Sequence, residues 1–361
     1  MNRRRNILIA PLDWGIGHAT RCVPLINVLL KKDVNVIIAS SDRAASFLQA
    51  EFPLLKHINI PGYGIRYPRR GKMVLQMLRQ LPAIRRSISR EHRILDSLID
   101  DHSIDGIISD NRFGMWSDKI PCIYITHQLK VKAPPGWSFT EGILSRMHRR
   151  YIRHFDECWI PDIDEDGGLS GDLAHEIKCP VPLYYTGPQS RFSLPGGTSP
   201  DKKYDLMVII SGPEPQRSIF EEEILEQLKK SPYRSIILLG KPEEFIQVKV
   251  SDNIEVHSHM PTVAMQEAML SSGLIICRSG YSSIMDLSLL GSAAVLIPTP
   301  GQTEQEYLAA YHQKKQHYYT VTQSELDISQ FVQASGSYTG IRIRHQGDVL
   351  NERIDQLLSR L

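Results

Sequence analysis

Residues 274–297, LIICRSGYSSIMDLSLLGSAAVLI, contain the pattern that decides the fold class. The apolar run at 274–277 predicts a buried strand, and the apolar run at 293–297 predicts a second one. Between them, residues 282–290 place apolar side chains at helical spacing. A strand, a helix and a strand in this order indicate two parallel strands of one sheet, because the helix returns the chain to the end of the sheet where it began.

The same alternation continues along the rest of the chain. The second half carries three further predicted strands, at residues 206–210, 235–239 and 254–257. The first half carries seven, at residues 6–10, 34–39, 55–60, 106–109, 122–126, 157–161 and 183–186. Residues 72–101 are predicted to form one or two helices with a break near Pro82. The sequence therefore predicts an α/β protein with two Rossmann-like domains, whose parallel sheets face each other across a cleft.

The boundary between the domains is expected at residues 187–204, GPQSRFSLPGGTSPDKKY, which have no apolar periodicity. The net charge also changes sign there, from +7 over residues 1–195 to −5 over residues 196–361. The predicted division is an N-terminal domain at 1–186, a linker at 187–204, a C-terminal domain at 205–348 and a final helix at 349–361. We expect this amphipathic final helix to pack back on the N-terminal domain.

Composition excludes several classes of protein. A formal charge of +2 over 361 residues argues against a nucleic-acid partner bound through bulk charge. Five scattered cysteines without a CxxC pair argue against a disulfide framework and a zinc site, and they indicate a reducing cytoplasm. No apolar run approaches the roughly 20 residues of a membrane span. The acidic run at 162–166, DIDED, is expected to be a solvated loop.

Ligands of parallel α/β sheets bind at the carboxyl ends of the strands, so the loops that follow strands carry the candidate sites. In the first such loop, residues 12–21, LDWGIGHATR, Gly15 and Gly17 allow a ligand to approach the backbone closely. The third glycine of a dinucleotide fingerprint is missing, which argues against NAD. His18 falls in the first turn of the following helix, where it is suited either to act as a general base or simply to cap or pack the helix.

Three loops of the second half have small and polar residues before a predicted helix. Ser211 and Gly212 follow the strand at 206–210, where they form either a phosphate cradle or a simple turn. The loop at 277–286, CRSGYSSIMD, combines backbone donors at a helix N-terminus with Asp286 about one turn later, an arrangement suited to a phosphate and a ribose. The loop at 298–305, PTPGQTEQ, offers donors and acceptors for sugar hydroxyls. A helix cap in a solvated loop remains the alternative for both.

Residues 259–310 resemble the carboxy-terminal half of MurG-type glycosyltransferases, which have the GT-B fold. Those enzymes carry a CRSGA-x-T-x-x-E loop, a G-x-P-x-x-x-x-P strand and a polar motif before a helix. This chain has CRSGYSSIMD, GSAAVLIP and QTEQEYLAA in the same order. Its GIGHATR loop is similar to the family's GGH loop and to a GHTTR loop in related proteins. Asp286 stands where the family has Glu.

The resemblance implies a role for each loop. It implies that the loop of Arg278, Ser279, Gly280 and Ser282 faces the donor diphosphate, as do Ser211 and Gly212, and that Asp286 binds the ribose. It implies that backbone groups of His259 and Met260 flank the nucleobase. The donor sugar would be held by Gln302, Glu304 and Gln305. The family needs no metal or other cofactor, because the nucleotide-sugar is its substrate.

The predicted function is transfer of a sugar from a nucleotide diphosphate donor, a UDP-sugar such as UDP-GlcNAc, to a hydroxyl of a glycan or lipid-linked acceptor. His18 is the first candidate for the general base, because it matches the family's loop histidine. Asp110, at the end of the strand at 106–109, is the second, and Asp13 is the third. Two alternatives remain open: a nucleotide-sugar 2-epimerase of the same fold, and a non-catalytic nucleotide-sugar-binding protein.

Residues 63–93 hold nine basic residues and one acid, interleaved with apolar residues. A basic helix with an apolar stripe can lie on an anionic membrane, so we expect a cytoplasmic protein with peripheral contact at the inner face. A helix that packs its stripe on its own domain is the alternative. A second alternative is that the arginines bind an anionic acceptor.

Overall fold

The computed structural model describes residues 3–64, 73–134, 136–194, 200–338, 340–343 and 348–361. These residues form two units. The first contains residues 3–64, 74–134, 136–189 and 348–361, and the second contains Met73 together with residues 190–194, 200–338 and 340–343. The chain therefore changes unit between Gln189 and Ser190, and most of the predicted linker belongs to the second unit.

The first unit is built on a seven-stranded sheet in which every neighbouring pair is parallel. The strands are β1 (Asn6–Pro11), β2 (Asn35–Ser40), β3 (Lys56–Asn59), β4 (Gly106–Asp110), β5 (Cys122–Ile125), β6 (Glu157–Ile160) and β7 (Leu183–Tyr185). Their order is β3-β2-β1-β4-β5-β6-β7, so the direction of winding reverses between β1 and β4. All seven predicted strands are present. Five of them are short apolar runs that the sheet buries, whereas the residues of the edge strands β3 and β7 are half-buried or exposed.

Four α-helices connect these strands: α1 (Gly17–Leu30), α2 (Asp42–Glu51), α3 (Met73–His102) and α4 (Glu141–Ile152). The predicted break near Pro82 is wrong, because α3 is one helix that contains this proline. The later turns of α3 bury Leu95, Leu98 and Ile99 in a core cluster on one face of the sheet. This burial holds the helix in place although Pro82 lacks one backbone donor.

The second unit has its own seven-stranded sheet. The strands are β8 (Tyr204–Ile209), β9 (Ser235–Leu238), β10 (Gln247–Ser251), β11 (Ile254–His257), β12 (Ser272–Cys277), β13 (Ala294–Leu296) and β14 (Tyr319–Thr320). Their order is β10-β11-β9-β8-β12-β13-β14, and only the β10–β11 pair is antiparallel. The winding reverses between β8 and β12. The sequence did not predict β10, which is exposed, or β14, which has two residues.

Five α-helices belong to this sheet: α5 (Gln216–Leu228), α6 (Thr262–Leu270), α7 (Tyr281–Leu290), α8 (Thr303–Lys314) and α9 (Ile328–Ala334). One core cluster of this unit is formed by buried residues of β8, β9, β11, β12 and β13 together with α5 and α9. The five cysteines of the chain are free thiols. No described helix is both long enough and apolar enough to span a membrane.

The final helix, α10 (Val349–Ser359), belongs to the first unit. Ile354 and Leu357 are buried in the core cluster that contains the apolar face of α1. Arg353 donates to Glu157 Oε2 over 2.6 Å, and Arg360 pairs with the other oxygen of the same carboxylate. The last turns of the chain thus supply partners to a buried carboxylate of β6.

Candidate active site

The first unit brings His18 and Asp110 together where the winding of its sheet reverses. His18 lies in the first turn of α1, which follows β1, and Asp110 is the last residue of β4. The two strands are neighbours, and His18 Nδ1 lies 2.9 Å from Asp110 Oδ1. The side chain of His18 is 14% exposed and that of Asp110 is 1% exposed. The imidazole can therefore meet a ligand, whereas the carboxylate cannot.

Arg21 holds this carboxylate from the other side. It lies one turn after His18 on α1, donates Nε to Asp110 Oδ2 over 2.5 Å and pairs through Nη2 with Oδ1. Its Nη1 lies 2.8 Å from Nδ1 of His127, a residue of the loop after β5. Arg21 and His127 were not among the predicted site residues. Arg21 stands in the GIGHATR loop, but only the fold brings it to Asp110, 89 residues away.

These contacts fix the protonation of the pair. Burial alone would raise the pKa of Asp110, but the Arg21 guanidinium and His18 outweigh it and hold that pKa well below its usual range. Burial and the charge of Arg21 lower the pKa of His18 below its ordinary value of 6.5, against the opposing effect of Asp110. Both Asp110 Oδ1 and Arg21 Nη2 lie 2.9 Å from His18 Nδ1. An ionised carboxylate can only accept, so its hydrogen bond with a neutral imidazole requires the ring proton on Nδ1. Nε2 then carries the lone pair that a base needs.

Asp13, the third candidate base, lies in the loop after β1 in different surroundings. Its Oδ1 is 4.0 Å from Nη2 of the buried Arg112. Its carboxylate fills the space beside Gly62, where an added Cβ would lie 1.8 Å from Oδ2. Gly15 in the same loop has φ +83° and open space around it, whereas Gly17 begins α1.

In the second unit, the loops that follow β8, β12 and β13 meet at one edge of the sheet. Ser279 donates its hydroxyl to the Gln305 carbonyl over 2.8 Å, and the Gln305 side chain accepts the Thr299 N–H over 2.8 Å. A Cβ on Gly280 would lie 3.8 Å from Gln305 Nε2, and one on Gly212, which has φ +109°, would lie 3.4 Å from Thr299 Oγ1. Gln305 is buried, so its polar atoms join these loops.

Arg278 was expected to face the donor diphosphate, but its side chain is turned toward partners within the protein. Its side chain is fully buried. The guanidinium donates to the carbonyls of Ile297, Pro298 and Gln216 and to Gln323 Oε1, and it lies 4.0 Å from the centre of the Phe220 ring. Burial lowers the pKa of Arg278 to about 10, which leaves it charged at neutral pH. The buried Arg278 side chain thus holds these loops together through its hydrogen bonds.

Asp286 lies in the second turn of α7 and accepts the Ser190 hydroxyl over 2.5 Å. Burial raises the pKa of Asp286 to about 6, although Arg191 and the Ser190 hydrogen bond oppose the shift. The other predicted residues lie around the ends of helices: Ser282 in the first turn of α7, Gln302 before α8, Glu304 within its first turn, and His259 and Met260 before α6. Met260 is buried, and the other four are half-buried.

Thr299 was not among the predicted site residues. It is 1% exposed, and its Oγ1 atom has no hydrogen-bond partner among the described residues. Gln302 Oε1, in the same loop, has the same property. A buried hydroxyl without a partner is costly, so its position beside Gly212 indicates a ligand contact.

The expectation of a solvated acidic loop is wrong for Asp162. This carboxylate is fully buried and accepts the N–H groups of Ile163, Leu169 and Ser170. It organises the loop after β6. Within the described ranges, no group of three or more His, Cys, Asp and Glu side chains is arranged to hold a metal.

Residues 216–336 match the model of the glycosyltransferase family 28 C-terminal domain. Over 348 residues the chain is 22% identical to the UDP-N-acetylglucosamine–N-acetylmuramyl-(pentapeptide) pyrophosphoryl-undecaprenol N-acetylglucosamine transferase of Histophilus somni (strain 129Pt), an alignment that covers 92% of this chain and 89% of that protein. MurG of Acinetobacter baumannii has a TM-score of 0.56 at 12% identity and covers 99% of this chain and 100% of its own. The glycotransferase of kitacinnamycin has a TM-score of 0.62 at 13% identity over 100% of this chain and 95% of its own. These structural likenesses confirm the predicted fold class.

Proposed function

Because this chain is a glycosyltransferase with the GT-B fold that resembles the MurG type, we propose that it transfers N-acetylglucosamine from UDP-N-acetylglucosamine to a hydroxyl of a lipid-linked acceptor. The relative from Histophilus somni, named for this donor and matched over most of both chains, is the observation that carries the proposal. The match to the family 28 domain covers the loops after β12 and β13 and supports a nucleotide-sugar donor in the second unit.

The donor binds the second unit at the edge where three loops meet. Gly280 precedes α7, whose N-terminal N–H groups suit the diphosphate, and the left-handed backbone of Gly212 lets the neighbouring loop approach it. Asp286 accepts hydrogen bonds from the ribose hydroxyls, and the Thr299 hydroxyl donates a hydrogen bond to the nucleotide-sugar. Backbone donors fixed in place stabilise the negative charge of the leaving diphosphate without a metal or other cofactor.

His18 acts as the general base in the first unit. Nε2 takes the proton of the acceptor hydroxyl as its oxygen bonds to C1 of the sugar, and the bond from C1 to the diphosphate oxygen breaks to release UDP. Asp110 stabilises the imidazolium that forms, and Arg21 holds Asp110 in place. Asp110 itself is a positioning residue, because a buried carboxylate of depressed pKa is a poor base.

Peripheral contact with the inner face of the cytoplasmic membrane brings the enzyme to its acceptor. Five arginines of α3 are exposed: Arg79, Arg85, Arg86, Arg90 and Arg93. Part of the apolar stripe packs within the same unit, because Ile88 is buried and Ile84 packs against its cluster. The side chains of the other stripe residues before position 79 lie outside the described part of the chain. The predicted membrane stripe is therefore wrong for Ile84 and Ile88. Exposed Trp137, Phe139 and Ile143, around the start of α4, supply the apolar contact instead.

A thermal-shift panel followed by product analysis tests the proposal. UDP-N-acetylglucosamine at about 100 times its dissociation constant should add about 2.7 kcal/mol of stability, with smaller shifts for GDP- and dTDP-sugars at the same concentration. Incubation with the donor and a prenyl-diphosphate-linked sugar should then yield UDP and an extended acceptor. An epimer of the donor formed without acceptor, or stabilisation by a different nucleotide-sugar only, would contradict the proposal.

The variant Thr299→Val tests the donor site separately. We expect it to fold with unchanged or higher stability, because it removes a buried hydroxyl that has no partner. Its affinity for the donor should fall about tenfold, which corresponds to the 1.4 kcal/mol of a typical lost hydrogen bond. Calorimetric titration with UDP-N-acetylglucosamine gives the affinity. Unchanged affinity would remove Thr299 from the site.

A further inference from the structure

Strand β10 ends the sheet of the second unit, and no described residue pairs with its outer edge. This edge is unusually apolar: Val248 and Val250 in the strand are 48% and 41% exposed, and Ile246 immediately before it is 40% exposed. Phe245, just before the strand, is fully exposed. An exposed strand edge with apolar side chains is a template for pairing with another strand, and soluble proteins normally protect such edges.

The outward-facing backbone groups of β10 can be identified from its pairing with β11. Ile246 accepts the Ser258 N–H, so the polar backbone groups of Ile246 point toward β11. In an antiparallel pair, consecutive residues alternate between facing the partner and facing away. Val248 therefore also faces β11, whereas Gln247 and Lys249 present their N–H and C=O groups to the outside. Beyond Lys249 a register shift ends the regular segment.

We propose that β10 pairs with β10 of a second copy of this chain, antiparallel across a two-fold axis at Val248. In this register Gln247 of each copy lies opposite Lys249 of the other, and these two pairs use the outward backbone groups. Val248 meets its own counterpart in the central, non-hydrogen-bonded position, where side chains are closest. The exposed side chains of Ile246 and Val250 flank this regular segment at its two ends.

The same sequence disfavours two other registers. An axis at Lys249 would bring two lysines into direct opposition, which is destabilising. An axis at Val250 would place Val248 opposite Asp252, which is fully exposed and charged. The axis at Val248 uses the outward hydrogen-bonding groups of both Gln247 and Lys249 and keeps like charges apart. The edge is thus complementary to itself, as a two-fold interface requires.

The pairing joins two seven-stranded sheets and leaves no like charges opposed. It is short, because the regular segment ends at the register shift, and a strand pair of this length buries less than the roughly 1,200–2,000 Å² of a stable interface. We therefore expect a concentration-dependent dimer. The partner is a second copy rather than an unrelated strand, because the segment from Gln247 to Lys249 can pair with an antiparallel copy of itself without opposing like charges.

Sedimentation velocity of the full chain over a range of concentrations tests the proposal. The wild type should move from monomer to dimer as concentration rises. Val248→Lys should raise the dimer dissociation constant at least about tenfold, because two ammonium groups would meet on the axis. Val263→Lys is the matched control: Val263 is 70% exposed on α6 of the same unit, and this variant should associate like the wild type.

A third variant tests the register by strengthening it. Gln247→Glu places a carboxylate opposite Lys249 twice in the dimer, so association should tighten several-fold at low salt and return to the wild-type value at high salt. Thermal unfolding of the variants shows that their folds are intact. A wild type that is monomeric at every concentration overturns the proposal, as does equal association of Val248→Lys and Val263→Lys. A Gln247→Glu chain that associates no more tightly overturns the register.

Discussion

The His18 imidazole lies beside two groups of opposite charge, and its protonation depends on both. Arg21 and burial favour the neutral ring, whereas Asp110 favours the charged ring. In the resting enzyme the neutral form wins, so Nε2 is ready to accept a proton. When the proton arrives, Asp110 is already ionised and in contact with the ring. The site therefore needs little reorganisation during the reaction.

Replacing His18 by alanine should reduce kcat by roughly 10²–10⁴-fold and leave the donor dissociation constant unchanged, because a base acts mainly in the transition state. In the wild type, kcat/KM should rise with pH through a midpoint below 6.5, since the pKa of His18 is lowered. Steady-state kinetics from pH 5 to 8, with calorimetry for UDP, provide both readouts. Full activity of His18→Ala would move the base to Asp13.

Asp286 should make donor binding depend on pH. Its pKa is raised to about 6, and a carboxylate must be ionised to accept two ribose hydroxyls, so UDP affinity should fall tenfold per pH unit below about 6. Calorimetric titrations at several pH values measure this slope. Asp286→Asn, which cannot titrate, should bind weakly at every pH and show no such slope. A wild type whose affinity is flat from pH 5 to 7 would contradict the assignment.

The same group affects stability in the opposite direction from most carboxyls. The pKa of Asp286 is higher in the folded protein than the ordinary aspartate value of 3.8, so the folded state holds the proton more tightly than the unfolded state. Stability should therefore decrease as pH rises from about 4 to about 6, by the linkage between proton binding and folding. Bound UDP offsets that loss, because it uses the ionised form.

At the scale of elements, Arg278 is the common support of the donor loops. It joins the ends of β12 and β13 to α5 and to Gln323. Arg278→Met should therefore lower the free energy of unfolding by about 3 kcal/mol, because several buried acceptors lose a charged donor. Arg234→Met, which breaks only an exposed pair with Asp205, is the control and should change little. Urea unfolding measures both. Equal effects would show that the hydrogen bonds of Arg278 contribute no more to stability than an exposed ion pair.

Elements with a strong apolar pattern were predictable, and elements set by tertiary contacts were not. Most of the parallel strands are short apolar runs bounded by polar or Gly-bearing loops, and the loops that follow several of these strands carry the candidate sites. Strand β10 is exposed throughout, and its residues depend on pairing with β11, so no burial pattern marks it. Pro82 was expected to break a helix, but packing of the later turns overrides the local preference.

Individual site residues were predictable when they lie in a strand-to-helix loop, as His18 and Asp286 do. Arg21 and Thr299 also lie in or beside such loops, but their roles depend on partners far away in sequence. Arg21 matters because it contacts Asp110, and Thr299 because it lies beside Gly212. Local sequence carries no information about such distances. The buried partners of Arg278 and Asp162 were missed for the same reason.

At the scale of the whole molecule, the unequal distribution of charge should direct the enzyme to anionic membranes. We expect co-sedimentation with vesicles that contain anionic lipid at low salt and weaker binding at high salt. The triple variant Arg85→Glu, Arg86→Glu, Arg90→Glu should lose most of this binding. Phe139→Ser should reduce the part that persists at high salt, because Phe139 is 73% exposed and apolar.

The matched control carries the same three charge reversals on the second unit, at Lys229, Lys230 and Arg234, which are all exposed. It should bind vesicles nearly as well as the wild type. If the control and the α3 variant lose binding equally, net charge alone explains the effect. If the wild type ignores anionic vesicles at low salt, the arginines of α3 serve an anionic acceptor or are merely solvated.

The position of α10 constrains how the chain can fold during its synthesis. Glu157 receives Arg353 from 196 residues later in the sequence, and the core around α1 is completed by Ile354 and Leu357. While the ribosome is still adding the second unit, the first unit therefore has an uncovered apolar face and a buried carboxylate without its cations. The second unit does not depend on a segment that is synthesised so much later, so it can complete its folding first. The unit that is synthesised first is therefore the last to complete its folding. Chaperones have the most exposed apolar surface to bind while this first unit still awaits α10.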